Sequence, residues 1–498
     1  MKRHFLAQTK STPSSPVSIV ISSVAFVLAL FPLYFADLRT NPPAYYNQGD
    51  ESSIAMNAWT IASSGIDEWG NSFPVYFRAF GEYKNPVYIY ALAAVFKIFG
   101  PGIFAARLFS AFLGFVTALV LGFLAWRIKK RWFVAIATFA FALVTPWLFE
   151  LSRLVLEVAL FPLAVALVLV TLYETSAGDE KTWRHGVTLG LSLGLLTYTY
   201  TAGRLMGPLF LLGFPLAWNK RNGKALLAAL GVYVLSLLPA MLFERAHPRA
   251  LLARYDMVGT VNTHQGILKP IRQVWQNLHD LNFRNVFWCC ERHRHHISVY
   301  VGLLYLAQGA LALGGFFVMW RRAPKAWCRW FTWAVVASIV PWSLTYGFNA
   351  LRLSALPVFA VALSIYAFDV VTQLKNWRVR LVFAAAVSAS VVIQAAIYFH
   401  VDRRYGPGRD PWFDKCFVDV FNRAMDDGRP RYFEWYTFVQ ARWYSVLEKR
   451  DESKLHAFTT IDSLPAGSLL IALIEKPSLR EIHRCGTRAM YDIYLYEK

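Results

Sequence analysis

The chain has 498 residues, 56% of them hydrophobic and only 16% charged, well below the charged share of about a quarter in soluble domains. That balance excludes an ordinary water-soluble globule. Five cysteines are too few for a disulfide-built scaffold, and the net charge of +20 needs a source other than nucleic-acid binding.

Uncharged runs recur that are long enough for a hydrocarbon core of about 30 Å, each crossing needing about 17 to 25 residues. Eleven are expected to span: 17–36, 108–126, 132–149, 158–173, 186–203, 205–219, 225–243, 297–320, 330–351, 353–368 and 381–399. Three of them, 158–173, 205–219 and 353–368, are short and rest on the topology of their neighbours. The expected fold class is an all-α polytopic membrane protein. The first run lacks a small-residue cleavage site and reads as a retained helix.

Basic residues stay on the cytoplasmic side of a membrane, and here they alternate with the runs. They precede the first run (Lys2, Arg3, Lys10), then fall at Arg127–Arg131, at Lys220, Arg221 and Lys224, at Arg321, Arg322, Lys325 and Arg329, and at Lys375, Arg378 and Arg380. The N-terminus is therefore expected in the cytoplasm, with 37–107, 150–157, 244–296 and 400–498 outside. These anchors account for much of the positive charge. The remainder lies on external loops, where it suits phosphate-bearing lipids.

Two parts are expected: a membrane domain, 1–400, with external loops 37–107 and 244–296, and a small external α+β domain, 401–498. The tail has one apolar β-like stretch, Ser468–Ile474, and helix-like segments near 411–426 and 434–449. Cys416 and Cys485 both lie in it and are free to pair. Cys289 and Cys290 are adjacent, which strains a bond between them, and Cys328 is placed on the cytoplasmic side. Loop 37–107 holds a helix-like stretch, Ser52–Ser63, and an apolar piece, 86–96, too short to span and suited to the interface.

The residues able to do chemistry gather on the external side. Asp50 and Glu51 follow the first run; an acidic pair in a loop is ordinarily just solvated, but its neighbours add to it. Lys84 sits immediately before the apolar piece 86–96, where a lysine either anchors the helix to headgroups or meets a phosphate as a point charge. Glu150, Arg153 and Glu157 lie between two runs, and Arg153 and Glu157, four apart, would share one face of a helix as an ion pair or as site residues. Arg204 follows Tyr198, Tyr200 and Gly203 between two spans with almost no loop; an ionisable group so near hydrocarbon is a functional candidate. The run Cys289 to His296 crowds cysteine and histidine against Arg292 and Arg294. Its spacing is poor for zinc, and it reads as a basic donor-recognition surface or a plain basic flank.

With these residues in view, the stretch from Asp50 to Lys84 resembles the first external loop of the bacterial branch of the GT-C glycosyltransferases, which includes protein O-mannosyltransferases and lipid A aminoarabinose transferases. Further pieces resemble it in order: Gly65 to Gly70, Glu82 to Tyr90, Ser152-Arg153 with Glu157, Tyr198 to Pro208, Arg294-His295 before Gly302 to Tyr305, and Leu344-Thr345 with Asn349 to Pro357. Together they cover most of 30–360. Cys290-Glu291 stands where the branch has Gly-Asp, and Asn349 where it tends to have His.

The resemblance implies an inverting transfer of a sugar from a polyprenyl-phosphate donor to an acceptor lipid, glycan or protein at the external face of a plasma or inner membrane. Asp50 would be the base, with Glu51 in support and Glu157 orienting the acceptor or a cation. Lys84, Arg153, Arg204, Arg294 and His295 would neutralise the donor phosphate. No cofactor is required on this reading; a divalent metal bridging Asp50 and the phosphate would supply charge that Lys and Arg already supply. A polyprenyl-linked sugar flippase is the alternative, and a purely structural membrane protein leaves the charged constellation unexplained.

Overall fold

The computed structural model describes residues 49–177, 182–259, 268–288, 302–376, 416–458, 460–473, 478–485 and 493–498, with scattered residues between 31 and 45, at 475–476 and between 378 and 396. Residues 37–498 form one compact unit, separate from 1–36. Two expected spans, 17–36 and 381–399, lie wholly or largely outside the described residues, as do Cys289 to His296.

The helices, in chain order, are α1 (Asp50–Ser64), α2 (Pro86–Phe99), α3 (Ile103–Lys129), α4 (Trp132–Leu143), α5 (Pro146–Leu151), α6 (Phe161–Ala177), α7 (Trp183–Thr199), α8 (Thr201–Leu212), α9 (Gly223–Ser236), α10 (Leu238–Ala246), α11 (Ala253–Val258), α12 (Leu268–Asp280), α13 (Leu306–Arg322), α14 (Lys325–Ser343) and α15 (Ala355–Gln373). Among the described residues four helical segments are long and apolar enough to cross a membrane: Ile103–Lys129, Glu157–Ala177, Gly223–Ala246 and Ala350–Gln373. Several of their neighbours are shorter than the runs read from sequence. The run 132–149 is interrupted before Pro146, because the residue preceding a proline leaves the α region, and Thr145 is extended. The runs 186–203 and 205–219 are partitioned differently: α7 stops at Thr199, Tyr200 is extended, and Thr201 starts α8.

Small residues set how closely the bundle packs. Along α7, Gly186, Gly190 and Gly194 recur every fourth residue and face α9. A Cβ on Gly186 would lie 2.0 Å from the Ala225 carbonyl oxygen, and one on Gly190 2.7 Å from that of Ala229. This is the small-residue seam by which helices approach in lipid, where apolar side chains gain nothing by hiding from their solvent. The outer faces remain apolar and exposed, as at Phe112, Phe123, Leu191, Leu235 and Phe317, a belt suited to lipid and not to water.

The tail is a five-stranded sheet with two helices, α16 (Cys416–Asp426) and α17 (Trp435–Leu447). The fully buried strand Leu469–Ala472 occupies its middle. Parallel to it runs Arg431–Glu434, and antiparallel to it Ile493–Glu497. Cys416 and Cys485 are bonded to each other. The tail also packs on the segment 37–107: Trp443 stacks on Tyr45 at 6.1 Å and on Phe96 at 5.8 Å, and the Tyr45 backbone N–H donates to the Tyr444 hydroxyl at 3.4 Å.

Candidate active site

Local sequence explains how the charged residues come to one place. Gly49, at φ 83°, takes the left-handed conformation that a glycine adopts at least cost. Its turn starts α1 at Asp50, and the positive end of the helix dipole favours the carboxylate there. Two short strands, β1 (Phe77–Ala79) and β2 (Glu82–Lys84), are joined through Phe80 and Gly81, both at positive φ, as a tight two-residue hairpin turn requires. Successive side chains of a strand alternate faces. Glu82 and Lys84 therefore share one face, and both line the same cavity. Pro86 then opens α2 in the position where a missing N–H costs nothing.

That cavity has a volume of about 520 Å³. Its charged lining residues are Asp50, Glu82, Lys84, Glu157, Arg204, Arg254 and Arg352; its apolar ones include Ile54, Leu156, Leu205, Pro341 and Leu344. Lys84 Nζ donates to Asp50 Oδ1 at 2.8 Å, and Arg254 donates to Glu82 Oε1 at 3.0 Å. Burial by itself would lower the Lys84 ammonium, but Asp50, Glu82 and Glu157 outweigh it and push the group up. Arg254 is likewise raised: burial pulls it down, and Glu82 and Asp50 more than offset this. Lys84 stays cationic although its side chain is almost wholly buried.

Asn85 is the centre of a second network. Its backbone N–H donates to Glu157 Oε2 and its side-chain amide to Glu157 Oε1 at 3.0 Å, while its oxygen accepts from Arg204 Nε at 3.0 Å. Arg204 also donates to the carbonyls of Tyr83 at 2.7 Å and Leu251 at 3.1 Å, and its guanidinium lies 4.8 Å from the Tyr76 ring centre. Much of its donor capacity thus serves to hold β2 and the 250s loop together. Arg352 donates to Thr345 Oγ1 at 2.7 Å.

Of the residues singled out from sequence, Asp50, Lys84, Glu157 and Arg204 meet at the cavity. Glu51 and Arg153 do not line it. Glu51 is fully buried, and its Oε1 accepts from the Val155 backbone N–H at 2.7 Å, fastening α1 to the segment before Glu157. Arg153 is buried with its guanidinium 4.3 Å from the Phe149 ring centre. The expected helical pairing of Arg153 with Glu157 fails because α5 ends at Leu151 and Leu156 is extended, so a spacing of four no longer means one face. Arg294 and His295 lie outside the described residues. Sequence reasoning missed Glu82, Arg254 and Arg352 as wall residues. The strand alternation Glu82-Tyr83-Lys84 was the available signal for the first; nothing local marks Arg254 among the other basic residues of 244–296.

Among the described residues no group of three His, Cys, Asp or Glu side chains comes together, and Asp50 and Glu82 are each bound to a cation.

Residues 83–243, under half of the chain, match the family model described as dolichyl-phosphate-mannose-protein mannosyltransferase. No curated protein sequence matches the chain. Among solved structures, ArnT from Cupriavidus metallidurans bound to undecaprenyl phosphate is similar over 97% of this chain and 98% of its own, at 14% identity and a TM-score of 0.58. The same ArnT in the apo state gives 87% and 73%, at 15% identity and 0.52. The Archaeoglobus fulgidus oligosaccharyltransferase in complex with Zn and sulfate is similar over 87% of this chain and 61% of its own, at 13% identity and 0.50. Similarity at these identities is one of fold. It extends from the membrane helices through the tail.

Proposed function

We propose that this chain, a protein of the GT-C glycosyltransferase fold, transfers a sugar with inversion from a polyprenyl-phosphate donor to an acceptor lipid, glycan or protein outside the cytoplasm. The observation that carries the reading is the Asp50–Lys84 pair, 2.8 Å apart, in a cavity lined both by apolar side chains and by Lys84, Arg204, Arg254 and Arg352. Apolar lining suits an isoprenoid tail, and Lys84, Arg254 and Arg352 suit its phosphate. The family-model match and the likeness in fold to an ArnT structure with bound undecaprenyl phosphate support the class; they give the flippase alternative no support.

Before donor arrives, Lys84 and Asp50 satisfy each other. A donor phosphate competes for the Lys84 ammonium and thereby releases Asp50. The acceptor O–H or N–H then attacks the anomeric carbon. As that bond forms, the bond from carbon to the lipid-phosphate oxygen breaks, Asp50 takes the acceptor proton, and the polyprenyl phosphate leaves with both electrons of the broken bond, stabilised by Lys84, Arg254 and Arg352. Glu157 and Arg204 position: both Glu157 oxygens are engaged by Asn85, which fixes the end of β2 and hence Lys84. Glu51 supports from behind, and Arg153 serves the bundle. Arg294 and His295 keep the donor-side role read for them from sequence. The Cys416–Cys485 bond supports an extracytoplasmic tail, since disulfides persist in oxidising compartments.

The test is transfer of radiolabelled sugar from polyprenyl-phosphate donors by wild type and Asp50→Asn at matched abundance. Turnover falling by a factor of about 10² to 10⁴ with donor binding retained is the expected result. Undiminished transfer by the variant would sink the assignment of Asp50 as base.

A further inference from the structure

Three helices connect the cavity to the opposite end of the bundle: α6 leads away from Glu157, α7 arrives at Tyr200, and α14 ends beside Leu344. A helix of about 20 residues is about 30 Å long, so the far end lies about one membrane thickness away. There a second cavity, of about 470 Å³, opens among Trp218, Asn219, Lys220, Arg221, Lys325 and Arg329.

Among the described residues no carboxylate lines this second cavity. Of the described acids at the same end, Arg127 takes Glu174 in a two-pronged pair, and Lys129 and Arg131 share Asp369 at 3.0 and 3.3 Å. Among the described residues no ion pair involves Lys220, Arg221 or Arg329. Four like charges around one concavity repel one another unless an anion sits among them. The N-terminus of α14, which begins at Lys325, adds its dipole in the same sense. Trp218, half-exposed at the rim, is the kind of side chain that rests at the boundary of headgroup and acyl chain.

We propose that this concavity binds the phosphate-bearing headgroup of an anionic membrane lipid, at the membrane face opposite the candidate active site. Basic pockets between the ends of membrane helices are suited to such headgroups. A free phosphate would satisfy the cations but leave the apolar rim unused, so the lipid is the occupant the site fits. The proposal is independent of the transfer chemistry.

The test is native mass spectrometry of the full chain released from mixed micelles of phosphatidylglycerol and phosphatidylcholine, with inorganic phosphate as competitor. Wild type is expected to retain phosphatidylglycerol in preference to phosphatidylcholine. Arg221→Gln with Arg329→Gln should weaken that preference about tenfold or more, from the attraction of two surface cations, and the charge-keeping pair Arg221→Lys with Arg329→Lys should restore it. Equal retention of the two lipids by wild type, or an unchanged preference in the glutamine pair, would overturn the proposal. Displacement by inorganic phosphate at equal concentration would overturn the lipid as occupant. Should the glutamine pair fail to fold, the wild-type comparison of the two lipids and phosphate still decides.

Discussion

The two ends of the bundle handle positive charge in opposite ways. At the candidate active site Lys84 has Asp50, Arg254 has Glu82, and Arg204 is held by three protein oxygens. At the far end Lys220, Arg221 and Arg329 line a concavity with no carboxylate among the described residues. The difference follows from solvent. Lys84 is almost wholly buried, and a charge kept from water must be paired or the fold pays heavily; exposed cations are served by water, salt and headgroups. A pair built in a dry site is also a pair that a stronger anion can exchange, which makes the first end suited to chemistry and the second to anchoring.

The sharpest way to break this comparison is to truncate one cation at each end. Lys84→Ala strands Asp50 in a cavity with apolar lining and removes a donor of positive charge to the leaving phosphate. Turnover should fall by a factor of about 10² to 10³, with a lowered melting temperature. Lys220→Ala should leave stability within about 0.5 kcal/mol. Comparable losses of stability at the two ends would remove the distinction.

Next in size is the Glu82–Arg254 pair, whose arginine side chain is 37% exposed. Arg254→Gln is expected to raise KM for the donor about tenfold, with kcat less affected. Glu82→Gln frees the guanidinium for phosphate, so KM should hold or fall. If both substitutions raise KM alike, the pair is structural and the phosphate role belongs elsewhere.

Asn85→Ala probes the neutral link between the two networks. It removes the side-chain bonds to Glu157 Oε1 and from Arg204 Nε while the backbone N–H still donates to Glu157, at a cost of about 1 to 3 kcal/mol, as buried charged groups lose hydrogen bonds. Thermal denaturation measures this; Asn85→Asp, which keeps the size but places a third carboxylate beside Glu157, should not rescue it.

Much of the site was legible in the sequence because a proline near a helix start and charges beside apolar runs are local signals. Asp50, Lys84, Glu157 and Arg204 all reached the cavity on such grounds. Local signals fail where the backbone departs from regular geometry: Arg153 and Glu157 are four apart in number only, since the chain between them is not helical. They fail again where a partner comes from far along the chain, as Arg254 does for Glu82 across 172 positions. Of the eleven expected spans, those that fall in long apolar helical segments such as Ile103–Lys129 and Gly223–Ala246 are candidates by length and composition. The breaks at Thr145 and Tyr200 depend on one residue each, which a hydropathy average cannot register. That the tail would stack Trp443 on Tyr45 and Phe96 had no signal at all, because aromatic residues in a polar domain point equally well to its own core.

The smallest effect concerns a carboxylate with neutral partners. Glu68, in the segment between α1 and β1, accepts hydrogen bonds from Ser53 Oγ at 2.8 Å and Asn57 Nδ2 at 2.9 Å. Loss of water around its carboxylate raises its pKa; the hydrogen bonds and the more distant Arg442 and Lys84 oppose this without cancelling it. The sign follows from linkage. A carboxyl whose folded pKa lies above its unfolded value of about 4.3 binds more protons in the folded state across that window, so stability falls as pH rises through it and the deficit persists at neutral pH. Glu68→Gln keeps the acceptor oxygen and removes the charge. It should therefore raise the melting temperature slightly at pH 7 and flatten the decline on the acidic side, in contrast to Asp50→Asn, where the charge removed is one that Lys84 needs. Parallel melting curves against pH for wild type and Glu68→Gln would mean that Glu68 is as well solvated as any surface carboxylate, and that pairing in this loop is set by water and not by its exclusion.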